Sequence, residues 1–347
     1  VPSTGSGVFI MMEIGKLPHK FLADMLAKVN LDDRVIVGPG VGLDAAVIDY
    51  GERLLVAKTD PITFAADLIG WYAVNVNAND VAVMGAVPKW LMTTVLLPTS
   101  MSQSDAENIF DQILSACGEL GVSLVGGHTE VTADLQRPII IGCMLGEAES
   151  SRLVTAAGAC EGDDIVLTKG IAIEGTALLA REAHDRLRER WFTEKYLRRS
   201  ADLLFNPGIS VLKDARIAMQ TAHVHAMHDP TEGGLATGLM ELSIASNLGL
   251  EVDMQKVPIL RETQSICRAF RLDPLGLIAS GCLIISVSPS DTPALLEAFR
   301  NEGINAAVIG RMMPKNYGLK IRTSKGLRDL PVFSRDEIAR FFENLGE

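Results

Sequence analysis

Residues 67–85 read DLIGWYAVNVNANDVAVMG, and the reading of the whole chain turns on this stretch. Its apolar side chains recur at helical spacing, yet Asn75, Asn77 and Asn79, residues that compete for backbone hydrogen bonds, interrupt it just before Asp80. Pro88 closes the helix. Upstream, two apolar runs at 45–50 and 53–58 flank Gly51-Glu52, which predicts a hairpin whose second arm ends in Thr59-Asp60-Pro61. Before the hairpin stand a helix over 18–29, with Phe21, Leu22, Met25, Leu26 and Val29 on one face, and a Gly/Pro loop over 34–42. Downstream, a strand is expected at 90–97. Ser104-x-x-Glu107 reads as a capping box opening a helix that ends near 118–121, and strands follow at 122–125 and 138–145.

Between Gly146 and Gly162 the chain becomes small and polar, which places a boundary near residue 155 and divides it into 1–155 and 156–347. The second part opens with a strand at 164–168 and a helix over 176–190. Helices are expected at 209–221, 235–247, 262–270 and 336–345, and apolar strand runs at 277–287 and 306–309. Strands and helices mix without strict βαβ alternation, so the class is α+β.

The 347 residues are 48% hydrophobic and 22% charged, with a formal net charge of −11, a composition that excludes disorder and a small disulfide scaffold. No Lys/Arg block exceeds two residues, so a nucleic-acid partner is not expected. The five cysteines form no CxxC pair and read as reduced core residues. The longest uncharged run, 274–290, carries two prolines and two glycines, wrong for a membrane span, and residues 1–12 lack the basic start of a secretory signal. The expectation is a cytoplasmic protein.

Several segments could carry chemistry. Asp44 follows a Gly38-Pro39-Gly40-Val41-Gly42 loop, Asp60 ends a strand, and Asn79-Asp80 closes the Asn-rich helix: hard oxygen ligands of the kind that hold magnesium through phosphates. Each, taken singly, also serves as a turn or cap residue. Gly126-Gly127-His128-Thr129-Glu130 follows an apolar run, and exposed amides in such a glycine turn can bind an anion. His228-Asp229-Pro230-Thr231-Glu232-Gly233-Gly234 precedes an apolar helix, a position suited to phosphate, though Asp229 or Thr231 is equally placed to cap. The spacing His223-x-His225-x-x-His228-Asp229 admits a zinc-hydrolase site instead; His223 and His225 also suit a strand face. P-loop, GxGxxG and GxSxG patterns are absent.

Taken in order, Gly42-x-Asp44-Ala45-Ala46-Val47, Lys58-Thr59-Asp60-Pro61, Asn79-Asp80-Val81-Ala82-x-x-Gly85-Ala86-x-Pro88, Gly126 to Glu130, Gly162-Asp163-x-Ile165 and Asp229-x-Thr231-x-Gly233-Gly234-Leu235 resemble the aminoimidazole ribonucleotide (AIR) synthase superfamily. The resemblance covers roughly 14–310. Through Ile14-Gly15-Lys16-Leu17-Pro18 and 229–234 it is nearest to the HypE-like, AIR synthase-related hydrogenase-maturation branch. It implies an N-terminal domain that forms a β-barrel with its two-fold mate, making a homodimer, a C-terminal α+β domain beside it, and ATP in the cleft between. Mg²⁺ would be held by Asp44, Asp60 and Asp80. Lys58, Asn79, Gly126, Gly127, Thr129, Glu130, Thr231, Gly233 and Gly234 would contact the cofactor, and Asp229, Glu232 and His128 would serve catalysis, His128 standing where relatives carry a carboxylate. The implied reaction is ATP-dependent phosphorylation of an oxygen on a small-molecule or carrier-bound substrate. A polar, buried helix that offends propensity is then accounted for. The sequence ends Phe342 to Glu347 without the cysteine that carries the carbamoyl group in HypE proper, which leaves an inactive ATP-binding assembly partner as the alternative.

Overall fold

The Asn-rich segment forms one helix whose residues are all buried except Trp71, and both halves of the chain pack onto it. The computed structural model describes residues 17–63 and 67–343; Ile14 to Lys16 and the end at 344–347, used in the sequence reading, lie outside them. In the first half, helices α1 (His19–Leu26), α2 (Ile69–Val83) and α3 (Gln103–Leu120) accompany six strands: β1 (Val35–Val37), β2 (Ala46–Asp49), β3 (Leu54–Ile62), β4 (Val87–Pro98), β5 (Ser123–Thr132) and β6 (Ile139–Ala148). They form a sheet in the order β1-β2-β3-β6-β4-β5, antiparallel except for β4 with β5. The expected hairpin is β2–β3, with Ala46 opposite Ala57, but β3 runs on through Asp60 and Pro61. The cap of α3 lies two residues earlier than the expected box: Ser102 Oγ accepts from the Asp105 N–H at 3.1 Å.

The second half holds β7 (Asp164–Thr168), β8 (Val224–His228), β9 (Gly249–Asp253), β10 (Ile284–Val287), β11 (Ala306–Met313), β12 (Leu319–Thr323) and β13 (Gly326–Asp329), ordered β13-β12-β9-β11-β7-β10-β8. Only β12 with β9 is parallel. Its helices are α4 (Ile173–Glu182), α5 (His184–Glu189), α6 (Glu194–Ala201), α7 (Leu212–Thr221), α8 (Gly234–Ser246), α9 (Arg261–Phe270), α10 (Thr292–Asn301) and α11 (Glu337–Glu343). The single helix expected over 176–190 is two, parting at Ala183.

One core lies between the first sheet, α2 and α3; others lie on the two faces of the second sheet, one with α8 and one with α7 and α10. The last turn of α2 inserts Ala82 and Val83 into the core built by Val211, Ala215 and Ala218, so the end of this helix sits where the halves meet. Among the described residues no helix is long and apolar enough to cross a membrane.

Candidate functional site

Strand alternation puts Lys58 and Asp60 on one face of β3, and α2 packs there. Lys58 Nζ lies 3.2 Å from Asp80 Oδ2 and 3.4 Å from Asp60 Oδ1. Asp44, just before β2, and Asp229, just after β8, come from opposite halves, and with His228 they bring ligating atoms within 4.8 Å of one another. Asp44, Asp80 and Asp229 are only 7, 4 and 2% exposed, so their charge is little screened by water. Both oxygens of Asp229 and Oδ2 of Asp44 are buried without a hydrogen-bond partner.

The electrostatics follow from this crowding. Burial, with Asp229, Asp60 and Asp44 nearby, holds Asp80 well above the usual carboxylate range against the pull of Lys58. Burial and then Asp44 raise Asp229 to about 7. Lys58 is raised as well: burial disfavours its charge, but Asp80, Asp60 and Asp44 together keep it protonated far above the ordinary lysine value. His228 Nδ1 lies 2.7 Å from Asp44 Oδ1 and Nε2 lies 3.0 Å from Glu241 Oε2. Burial opposes the charge on this ring, yet Asp44 and Glu241 hold it well above the usual range. An imidazolium with a carboxylate at each nitrogen thus ties the first half to α8. Five acidic side chains, Asp44, Asp60, Asp80, Asp229 and Glu241, meet one ammonium and one imidazolium here. The crowding favours protons on Asp80 and Asp229, and a hard cation that displaced them would find orphaned carboxylate oxygens in place.

The three asparagines divide their work. Asn77 Oδ1 accepts from the Asp60 N–H at 2.9 Å and so fixes the strand that carries Asp60. Asn75 Nδ2 donates to its own helix at Trp71 O. Asn79 does not join the carboxylates: Nδ2 donates to Ile209 O and Oδ1 accepts from the Val211 N–H, both at 2.9 Å. Its amide is spent clamping the 209–211 segment.

The expected glycine turn at 126–130 is not a turn. Gly126 to Glu130 continue β5, the edge strand, and all of 125–131 are exposed. A Cβ on Gly127 would come within 2.0 Å of Thr93 O, so this glycine answers the close approach of β4, next to the register shift opposite Leu91/Met92. Asp60, Gly142, Thr93 and Gly127 are successive partners across β3, β6, β4 and β5, which separates Gly127 from Asp60 by three strand spacings, about 14 Å. His128 Nε2 lies 3.1 Å from Glu130 Oε2 and Thr129 stands between them, away from the carboxylate cluster.

At the start of α8, the position expected to receive phosphate is taken by the chain's own Asp336, whose Oδ2 accepts from the Gly233 N–H at 2.6 Å. Asp336 Oδ1 also accepts from Ile278 and Ile338 N–H. Thr231 O accepts from Gly234 and Ala279 N–H, closing the turn. Glu232 acts on Asp336 and on Glu174, each raised to about 7, chiefly by burial. Glu232, Thr231, Gly233 and Gly234 therefore belong to a second acidic group beside Asp229. The zinc spacing is dismantled by β8: the ladder with β10 skips His225, and His225 and His228, three strand residues or about 10 Å apart, take different partners, His225 Asp163 and His228 Asp44. Glu241, Asn77 and Asp336 were missed from sequence; Glu241 stood out only as one acid inside the apolar run of α8.

Residues 42–148 match the family model for the N-terminal domain of AIR synthase related protein, and 161–321 match that for its C-terminal domain. The chain is 32% identical over 332 residues to a putative hydrogenase expression/formation protein of Methanocaldococcus jannaschii, covering 92% of this chain and 95% of that one. It is 28% identical to the carbamoyl dehydratase HypE of Rhizobium leguminosarum over 82% of this chain and 81% of the relative. A crystal structure of hydrogenase maturation protein HypE in complex with ATP superposes with a TM-score of 0.70 at 23% identity, covering 91% of both chains.

Proposed function

The chain belongs to the AIR synthase-related family, and from that premise we propose that it is an Mg²⁺- and ATP-dependent enzyme of hydrogenase maturation that phosphorylates a carbamoyl-type oxygen on a small-molecule or carrier-bound substrate. The observation that carries this reading is the convergence of Asp44, Asp60, Asp80 and Asp229 from both halves around Lys58, with buried oxygens of Asp44 and Asp229 lacking partners. The relatives named carbamoyl dehydratase, and the HypE structure that holds ATP, supply the reaction class.

Hard carboxylate donors in excess of their counter-charges fit magnesium. Asp44, Asp60, Asp80 and Asp229 would hold it, and bound there it supplies positive charge to phosphate oxygens. Asn77 keeps Asp60 in place from behind. Lys58 offsets two of the carboxylates, and His228 fixes Asp44 from the opposite half. Transfer of the γ-phosphoryl group to a carbamoyl oxygen forms a C–O–P linkage and ADP as the nitrogen gives one proton to solvent; the C–O bond then breaks, the oxygen leaves as inorganic phosphate with the nitrogen's second proton, and a nitrile remains. The exposed edge β5, with Gly126, Gly127, His128, Thr129 and Glu130, is the face on which a second copy would pack to complete a barrel. Asn79 and the 229–234 turn, in this reading, hold the halves in register about the cleft.

The test is ADP formation with ATP, Mg²⁺ and carbamoylated acceptors. Asp60→Asn and Asp80→Asn should each fall to background while melting as folded proteins. Turnover retained in either variant would remove the metal assignment.

A further inference from the structure

Just before β7 and beside β8, Cys160, Asp163 and His225 bring ligating atoms within 4.8 Å of one another. Asp163 is 3% exposed and fully engaged: it accepts from the Cys160 N–H at 2.9 Å and from Ser286 Oγ at 2.7 Å, and lies 2.8 and 3.0 Å from His225 Nδ1. A carboxylate on Nδ1 fixes the ring and its tautomer and leaves Nε2 as the free donor nitrogen, the arrangement found behind metal-bound histidines. Cys160 is exposed, and its thiol makes only a weak 3.5 Å contact with Gly158 O. A Cβ on Gly158 would come within 2.2 Å of His225 O, so the bare glycine is what lets the segment carrying Cys160 lie against β8.

The neighbouring ring completes the pattern. His223 is exposed, and its ring centre lies 5.1 Å from that of His225, edge-on. Two imidazoles on one tetrahedral zinc have ring centres about 5 Å apart, and a thiolate and an imidazole nitrogen on that ion are about 3.5 Å apart. Of the five cysteines this is the one that the structure exposes beside histidines; Cys117, Cys267 and Cys282 are buried, with thiols pushed up to about 11, 12 and 12 chiefly by burial.

We propose that Cys160, His225 and His223 form a site for a soft divalent cation of the zinc class, with Asp163 as the residue that positions His225. Binding converts the Cys160 thiol to thiolate and releases its proton to solvent. The site is separate from the carboxylate cluster, since His225 and His228 lie three strand residues, about 10 Å, apart and hold different partners, Asp163 and Asp44.

Cobalt(II) is the probe. The full chain, stripped with chelator, should take up one equivalent and develop a thiolate-to-cobalt charge-transfer band, which zinc then bleaches. Cys160→Ser should lose the band, and Asp163→Asn should keep it with affinity weakened about tenfold or more. Because a misfolded variant would lose the band as well, the wild-type chain is alkylated with iodoacetamide and mapped by mass spectrometry, where zinc should protect Cys160. Absence of a band in the wild type, a band that persists in Cys160→Ser, or alkylation of Cys160 that zinc does not slow overturns the proposal.

Discussion

Asp229 has two buried carboxylate oxygens without partners, and burial with Asp44 raises its pKa to about 7, against about 3.9 in an unfolded chain. The folded state therefore holds the proton more tightly. The stability this supplies is complete below about pH 4 and is lost as pH rises toward about 7. Glu174 and Asp336, each raised to about 7 chiefly by burial, act in the same direction over the same interval. Asp229→Asn should then melt higher than the wild type at pH 8 in chelator, while losing Mg²⁺-dependent nucleotide binding; a lower melting temperature at pH 8 would contradict the electrostatic reading. At this scale the sequence showed which acids were unusual. Asp44, Asp60, Asp80 and Asp229 each belong to one of the sequence motifs, and the fold brings them together. It misled at Asn79, because neighbours on a helix point about 100° apart: Asp80 faces β3 while Asn79 faces the 209–211 segment.

α2 is the element that links the halves. Its polar side chains are costly inside a buried helix and are retained where each meets a backbone partner. Asn79→Ala would leave the Ile209 carbonyl and the Val211 N–H without their partner, at about 1–3 kcal/mol for each group. Urea unfolding should register a loss of that size, and a change within about 0.5 kcal/mol would show that the clamp is dispensable. The helix itself was legible because apolar residues recur at helical spacing from Ile69 to Val83 despite the asparagines between them. β5 was legible only in its first residues. Glycines at 126 and 127 read as a stop, whereas in the fold both lie within an edge strand and Gly127 lets it press against Thr93. β9, β12 and β13 gave no signal, since strands such as Leu319–Thr323 alternate polar and apolar over too few residues to stand out.

For the molecule as a whole, Asp44, His228 and Glu241 form a latch between the two sheets, with His19 of α1 3.8 Å from Glu241. His228 is held well above the usual histidine range, so its contribution is present through neutral pH and disappears only as pH climbs through that raised value. His228→Ala would strand two buried carboxylates, and a loss of about 3–5 kcal/mol is expected at pH 7 in a denaturation experiment. A loss below about 1 kcal/mol would show that the halves dock without it. The α+β class was readable from the order of runs, in which strands and helices mix without strict alternation. The latch was not, because it joins residues almost two hundred positions apart through a histidine whose spacing suggested zinc.

The proposed function requires that the carboxylates of both halves form a magnesium-nucleotide site. Its most direct test is the melting temperature of the full chain with ATP plus Mg²⁺, with ATP plus EDTA, and with Mg²⁺ alone. Ligand at about 100 times Kd adds roughly 2.7 kcal/mol to the native state, which for domains of this size is a rise of roughly 5–10 °C. That rise is predicted with ATP and Mg²⁺ together and should vanish in EDTA. An unchanged melting temperature, or an equal rise in EDTA, would contradict it.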